Sequence, residues 1–547
     1  MPLTDPHETE AKFAILNQKT VDRFAGGATL APGYQLLPPH TAETVDVYYD
    51  TPSFDLIRRG LALRTRRSGE RLLVTAKSLE ARRDTPLYDR VEREEPVDHA
   101  TGKPPYLAHC SAELSDLVAA HNPDSRKLRP VVTLRQTRLQ RLVQPVAGKR
   151  KAAKQSAPLA ELSLDDVRVY ERGANADGSP PAARFRELEL ELLPDGDVAK
   201  LERLADRLGK RAGLRRRSAS KLEAALEAIS EMAPGADVAN PDIQPAMHMA
   251  EACRLIWRRQ IMQVVLQEYG ARIGDDPEYV HEMRVAIRRA RTAQELFGHY
   301  FRRSAIEPAF ADLRRLGRRL GAVRDLDVAL ENLGEFRAGL PEAEQADVCK
   351  LEEFVQARRA AARQALLEWL DGPQHAATLT AFFKFTRSPG KGVKRSVAKL
   401  AAPAPLQVRH VMPGVIMARF ARVRAYEPLV ETESEAPAEQ MHALRIECKY
   451  LRYSLEFSRH LLGKEGEALV DQLKRMQDHL GAFNDTFVER GRLLAWQKDG
   501  LDEKLIRARL QDLSDTAARL QAEFPAAYRT FVAHDNRRLL GEALAHI

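Results

Sequence analysis

Six short segments before residue 200 carry ionisable side chains at every second position. They are Glu8-Thr9-Glu10-Ala11-Lys12, Arg64-Thr65-Arg66, Thr75-Ala76-Lys77, Arg90-Val91-Glu92-Arg93-Glu94, Glu161-Leu162-Ser163-Leu164-Asp165 and Glu187-Leu188-Glu189-Leu190-Glu191. In an extended strand, residues i, i+2 and i+4 point to one side, so each segment presents its charges to a single face. Carboxylates gathered on such a face hold hard cations, and Arg and Lys hold phosphate oxygens. Together they form the set that metal-dependent phosphoryl transfer requires. Taken singly, each segment reads equally well as a solvated strand face, and a sheet with its charged side outward is the alternative for all six. Leu162, Leu164, Leu188 and Leu190 alternate with the charges. A barrel with a wet, charged lumen and an apolar outer shell under helices accounts for both faces.

The elements that must position these residues are legible in the same stretch. Strands are expected over 45–50, 60–67, 71–77, 88–97, 130–143, 159–170 and 185–193, with turns at Ser68-Gly69-Glu70 and 176–180. A Lys/Arg/Ala-rich loop lies between Val143 and Pro158, and helices are expected over 198–212 and from Lys221 to about residue 232. The Pro-, Gly- and Asp-rich stretch 233–246 is read as a linker. It divides a strand-rich domain, 7–230, from a helical one, 247–545. The fold class expected is therefore a multidomain α+β chain.

The helical part contains an internal repeat. His281, Arg284, Arg288 and Arg291 recur as His442, Arg445, Lys449 and Arg452, an offset of 442 − 281 = 161. Leu320-Gly321-Ala322-Val323-Arg324-Asp325 recurs as Leu480-Gly481-Ala482-Phe483-Asn484-Asp485, with 481 − 321 = 160. Between the copies lies a basic connection, 390–399. Spacings of 3, 4 and 3 place each basic set on one helix face, where like charges repel unless an anion compensates. If both helices face one cavity, these eight side chains form a groove for a linear polyanion. The alternative is a solvated face, with Asp325, Asp327 and Asp485 as internal salt-bridge partners. Neither His is read as a metal ligand, since no second ligand stands at metal spacing.

Bulk properties narrow the classes. The 547 residues are 44% hydrophobic and 30% charged, with a net charge of +8, as expected for a folded, multidomain chain with anionic partners. Aromatics make up 6% and do not interleave with the basic residues as base stacking would need, so a phosphate chain is a better partner than nucleic acid. Cys110, Cys253, Cys349 and Cys448 are far apart, which fits a reducing compartment. With no signal peptide at the N-terminus and no apolar run of about 18 residues, no membrane contact and a cytoplasmic location are expected. The sequence does not set an oligomeric state.

Glu8-x-Glu10-x-Lys12 near the N-terminus, the charged strands after it and Ser220-Lys221 resemble the CYTH domain of the triphosphate tunnel metalloenzymes. The duplicated His/Arg/Lys helices resemble a CHAD domain, and the tandem order is similar to that of bacterial CYTH–CHAD inorganic triphosphatases. The resemblance implies an eight-stranded antiparallel β tunnel with flanking helices, followed by an all-α duplicated bundle. It implies a divalent cofactor, Mg²⁺ or Mn²⁺, on Glu8, Glu10, Glu187, Glu189 and Glu191. Among these, Glu8, Glu10, Glu189 and Glu191, together with Lys12, carry catalysis. Arg64, Arg66, Lys77, Arg90, Arg138 and Lys221 then bind the substrate, inorganic triphosphate, with Glu92, Glu161 and Asp165 completing the lining. Glu94 and Arg135 fit less well, because Arg135 has the wrong strand parity relative to Arg138. The CHAD resemblance implies inorganic polyphosphate as partner, and with it association with polyphosphate granules. Arg288 is matched by Lys449 and Arg324 by Asn484, so the two copies are expected to bind unequally. Two other activities stay open: a non-catalytic polyphosphate-binding or granule-targeting protein, and a hydrolase of thiamine or nucleoside triphosphates. Removing Glu10 or Glu189 is expected to abolish hydrolysis without unfolding the chain.

Overall fold

The computed structural model describes residues 7–27, 29–79, 87–97, 103–146, 157–171, 180–217, 219–230, 243–398, 406–431, 436–498 and 503–547. The basic loop 147–156 and most of the expected linker lie outside the described residues.

The strands are β1 (His7–Ile15), β2 (Thr29–Ala31), β3 (Tyr34–Leu36), β4 (His40–Asp50), β5 (Leu61–Ser68), β6 (Arg71–Ser78), β7 (Tyr88–Pro96), β8 (Arg129–Pro145), β9 (Ala160–Glu171), β10 (Ala183–Leu192) and β11 (Leu214–Arg216). Eight of them pair in the order β8-β4-β5-β6-β7-β1-β10-β9, and β9 pairs back to β8, closing an antiparallel barrel. β3 and then β2 extend from β8, and β11 adds to β1. Closure leaves the eight ring strands with no free edge.

The two faces divide as the alternation predicts. Ala11, Phe13, Leu162, Leu164, Leu188 and Leu190 point outward and are buried under Leu201, Leu204, Ala205 and Leu208 of the helix Val198–Gly209 and under Phe24 of the helix Gln18–Gly26. Leu61, Leu63, Val74 and Ala76 are covered by Leu114 and Val118 of the helix Ala112–His121. With apolar area buried on the outside, at about 25 cal/mol per Å², the barrel can afford a polar interior.

Some elements are additions to the sequence reading. β2, β3, β11 and the helices at 18–26 and 112–121 were not expected. The helix expected over 198–212 ends at Gly209, because Gly213 takes φ +92° to start β11.

The duplication is visible in helix lengths. Helices Glu278–Phe297, Arg303–Ala338 and Glu342–Asp371 have 20, 36 and 30 residues, and Ala438–Phe457, Gly463–Lys498 and Glu503–Val532 repeat 20, 36 and 30. The chain forms two compact units that do not divide at one point. The first is Met1–Asp242 with Ile261–Met283 and Ala376–Lys384; the second is Ile243–Gln260, Arg284–His375 and Phe385–Ile547.

Candidate active site and cationic cleft

Strand register builds the first site. Glu10 stands opposite Glu191 and Lys12 opposite Glu189. Glu187 faces Asp165, and Asp165 faces Arg138. Arg66 faces Asp46, Arg64 faces Tyr48, and Lys77 faces Glu92. Directly opposed residues share a face, so all eight ring strands send polar groups inward. Lys221 arrives from a helix, Lys221–Ser230, started by a capping box: Ser220 Oγ accepts from the Glu223 N–H at 3.2 Å, and Glu223 Oε2 accepts from the Ser220 N–H at 2.6 Å. That cap fixes the first residue of the helix and so aims Lys221 into the barrel.

The lumen encloses a cavity of about 280 Å³. Of the residues expected there, Glu8, Glu10, Lys12, Arg64, Arg66, Lys77, Glu92, Arg138, Glu189, Glu191 and Lys221 line it, and so does Glu94. Asp165 and Glu187 lie behind this lining. Glu161, expected in the lining, is also not part of it; Gln140 Nε2 donates to its carboxylate at 2.6 Å and holds it aside. The Arg90 side chain lies outside the described residues. Arg135 faces Val45 and Arg168, on the barrel exterior.

The lining charges are paired with one another. Glu189 receives Lys12 at 2.8 Å, Arg138 at 2.8 Å and Lys221 at 2.7 Å. Burial alone would raise its pKa, but these cations hold it well below the usual carboxylate range. Lys77 contacts Glu8, and stands 3.4 Å from Glu10 and 3.2 Å from Glu92. Burial opposes the Glu92 charge, but chiefly Lys77 draws its pKa down to about 2. Glu191 differs from these: burial and then the neighbouring Glu8 and Glu10 push it up to about 7.

Two carboxylate groups bear on a metal. Ligand oxygens of Asp165, Glu187 and Glu189 lie within 4.8 Å of one another, a cluster that could hold an ion. The Lys221 ammonium already stands among them, 2.7, 3.0 and 2.7 Å from Asp165, Glu187 and Glu189. Glu187 is fully buried, its pKa is raised chiefly by burial, and neither oxygen receives a hydrogen bond of good geometry, although Lys221 and Arg217 are near. The second group is Glu8, Glu10 and Glu191, where carboxylate repels carboxylate. Both sets are oxygen-only, which suits a hard divalent cation, but among the described residues only Asp165, Glu187 and Glu189 bring three carboxylate oxygens within 4.8 Å of one another. The lining as a whole carries six carboxylates and six cations, so the cavity has no cationic excess.

The sequence reading leaves out Asp46 and Tyr48, and it quotes Thr75 and Ser220 within their motifs without giving them a site role. Tyr48, Thr75 and Ser220 line the cavity; Asp46 lies behind it, bound to Arg66. Thr44, Asp46 and Tyr48 alternate in β4, the same period-two signal that marked the other strands.

The second site lies in the second unit. A cavity of about 460 Å³ is lined by Arg288, Arg291, Thr292, Gln294, Glu295, Arg314, Lys449 and Tyr450. Of the eight residues expected in a groove, Arg288, Arg291 and Lys449 line it; Arg284, Arg445, Arg452, His281 and His442 do not, and Arg314 is an addition. Lys449 has its pKa lowered by burial and then by Arg288, Arg445 and Arg291, and Arg284 is lowered by burial with Arg288, Arg324 and Arg445 adding to it. The two basic stripes therefore feel each other's charge.

Reciprocal contacts relate the copies. Arg289 donates to Glu456 at 2.9 Å, and Tyr450 donates to Glu295. Since 450 − 289 = 161 and 456 − 295 = 161, these are one contact made twice about a pseudo-two-fold axis. Asp325 lies 3.8 Å from Arg284, and Asp327 binds Arg359. His442 Nδ1 lies 2.6 Å from Asn484 Oδ1. One expectation is corrected here: Glu278 and Glu282 bring ligand atoms within 4.8 Å of the His281 ring, because Glu278 sits one helical turn before it.

Comparison with known proteins follows this division. The CYTH domain family model matches residues 6–226 and the CHAD domain model residues 255–494. The uncharacterized proteins MT2285 and Rv2226 of Mycobacterium tuberculosis are each 28% identical to the chain, over 97% of it and 98% of their own length. Among solved structures, the CHAD domain of the plant Ricinus communis is 22% identical, covering 56% of this chain and 94% of its own, with a TM-score of 0.40. HpAC1 from Hippeastrum, reported to have a dominant triphosphatase activity, is 17% identical over 39% of this chain and 93% of its own, with a TM-score of 0.25. The barrel with its charged lumen and the duplicated helices are thus a CYTH domain and a CHAD domain joined in tandem in one chain.

Proposed function

We propose that the barrel hydrolyses inorganic triphosphate to pyrophosphate and phosphate with the help of Mg²⁺ or Mn²⁺, and that the cationic cleft binds inorganic polyphosphate. The observation that carries the first part is the balance of six carboxylates against six cations around one small cavity. Net charge alone does not draw a triphosphate into such a lumen. A divalent ion on the carboxylates would tip the balance, leaving the cations paired with them available for phosphate oxygens.

In this reading Glu8, Glu10, Glu189 and Glu191 of the lining would hold the ion, with Glu187 behind them. The ion supplies charge neutralisation and a more acidic water. The chain's own part is binding and orientation. Arg64, Arg66, Arg138, Lys12, Lys77 and Lys221 surround the phosphate chain and stabilise the charge that develops on its oxygens. Each of these cations that has a carboxylate partner is held in place before substrate arrives.

The test is phosphate release from tripolyphosphate by the purified chain with Mg²⁺, with Mn²⁺ and with EDTA, beside ATP, thiamine triphosphate and long-chain polyphosphate. Metal-dependent release favouring tripolyphosphate is expected. Release only from an organic triphosphate overturns the substrate assignment, and no release from any of them overturns the hydrolase reading.

For the cleft, Arg288, Arg291, Arg314 and Lys449 stand against the single carboxylate Glu295. The Tyr450 ring is covered by Arg419 at 4.6 Å and Lys449 at 4.9 Å, so it has little free face for a base. Both features favour a phosphate chain. The double variant Arg288→Glu/Lys449→Glu is expected to weaken long-chain polyphosphate binding by ~100-fold or more at low salt and to flatten its salt dependence. The pair Arg284→Glu/Arg445→Glu, outside the cavity lining, is expected to lose less. Equal affinity of parent and first variant in fluorescence anisotropy removes the cleft as the binding site.

A further inference from the structure

Asp46 is a carboxylate of the barrel that is bound by neighbouring side chains and has no access to the cavity. Its side chain is fully buried and it is not among the lining residues. Oδ1 accepts from Arg66 Nε at 2.8 Å, and Oδ2 accepts from Arg66 Nη2 at 2.8 Å and from Gln136 Nε2 at 2.7 Å. Arg64 Nη1 lies 3.5 Å from Oδ2. Burial opposes the charge, yet Arg66 and Arg64 hold the carboxyl well below the usual range. Asp46 therefore stays ionised and has no free face for a metal or a substrate.

The fork is informative in its geometry. Asp46 takes the Nε and Nη2 edge of Arg66, which leaves Nη1 for a ligand. Both Arg66 and Arg64 line the cavity. An arginine is otherwise a long side chain with much rotational freedom. Donors fixed in advance stabilise developing charge without reorganising during the reaction. Gln136 on β8 secures the carboxylate from the other side, so β8, β4 and β5 together set Arg66, while Arg64 is held between Asp46 at 3.5 Å and Glu92 on β7, to which its Nη2 donates at 3.2 Å.

We propose that Asp46 is a positioning residue that orients Arg66 and Arg64 toward the phosphate chain, an inference that rests on the triphosphate hydrolase reading. A carboxylate that merely adds charge behaves differently. Asp46→Asn would then make the lumen more cationic, tighten substrate binding and leave kcat alone, and Asp46→Glu would be silent. A positioning carboxylate gives the opposite pattern. Asn presents an amide N–H₂ to the guanidinium, and Glu keeps the charge but displaces the fork by a methylene.

The experiment measures kcat and KM for tripolyphosphate with Mg²⁺ in the parent, Asp46→Asn and Asp46→Glu. Beside it, phenylglyoxal labelling of Arg64 and Arg66 is followed by peptide mass spectrometry in metal-free protein. The expected result is a kcat lower by about tenfold or more in both variants, with KM changed by less than about threefold, because misplacing a group costs turnover more than binding. Labelling of Arg66 is expected to speed up several-fold in Asp46→Asn. Asp46→Glu keeps the buried charge and so tests the role even if Asp46→Asn does not fold. Parent-like kcat in Asp46→Glu, or an effect confined to KM, overturns the proposal. If the parent releases no phosphate, the hydrolase reading fails by itself, and unchanged Arg66 labelling still shows separately that Asp46 does not hold the arginine.

Discussion

Metal-free protein carrying Glu191→Gln is expected to be more stable than the parent at pH 8 and no more stable at pH 4. In the folded chain the Glu191 carboxyl titrates near 7, against an ordinary 4.5, because it is buried beside Glu8 and Glu10. A raised pKa means that the folded state binds the proton more tightly than the unfolded state. The stability this gives is present in full below 4.5 and is lost as pH rises through 7. The difference of 2.5 corresponds to at most about 3 kcal/mol, which the neutral glutamine does not lose. The same substitution removes a carboxylate that the proposed ion needs, so metal-dependent turnover is expected to fall by ~100-fold or more. Thermal unfolding at several pH values in EDTA, together with phosphate release, checks both parts. A lower melting temperature at pH 8 means that Glu191 is held by attraction after all, and full turnover removes it from the site.

Glu189→Gln is expected to act in the reverse direction on stability. Glu189 is the meeting point of Lys12, Arg138 and Lys221. Each of these cations keeps another carboxylate, but all lose one charge-assisted bond at once inside the barrel. A loss of about 3 kcal/mol is expected, the lower end of what breaking a buried ion pair costs. Its carboxyl is held below the ordinary range, so the stability it gives is present above pH 4.5 and lost as pH falls. Parent and variant should therefore converge in acid. Urea unfolding at pH 7.5 and in a series below pH 4, where the lowered folded value is approached, measures this, and equal midpoints at pH 7.5 would falsify the hub role. The sequence treats Glu10 and Glu189 as equivalent; the structure separates them, because Glu10 lies 3.1 Å from Lys12 and 3.4 Å from Lys77 whereas Glu189 gathers three cations within 2.8 Å. Glu10→Gln is the gentler variant for testing turnover in a folded chain.

Much of the first site was legible because a strand has a period of two. Glu8, Glu10 and Lys12, or Glu187, Glu189 and Glu191, can share only one face if the segment is extended. The alternating leucines then say which face is buried under helices. Lys221 was not legible from periodicity; it came with the resemblance, and the capping box at Ser220 and Glu223 gives the local reason for its placement. Asp46 lies in a segment, 45–50, that the sequence marks only as a strand, and its role depends on Arg66 and Gln136 from strands 20 and 90 residues away.

The sequence by itself determined the strand alternation, the division into a strand-rich and a helical part, and the duplication at an offset of 161. These are local or periodic properties, set by backbone geometry within one element. Only the tertiary structure decided that Glu189 is a three-cation hub, that Glu161 is turned aside by Gln140, that Lys221 stands among the carboxylates at Asp165 and Glu187, and that Arg288, Arg291 and Lys449 line the cleft while Arg284 and Arg445 do not. Barrel closure and helix crossing choose which side chains meet. Those choices rest on contacts between residues far apart in the chain, where spacing along one element carries no information.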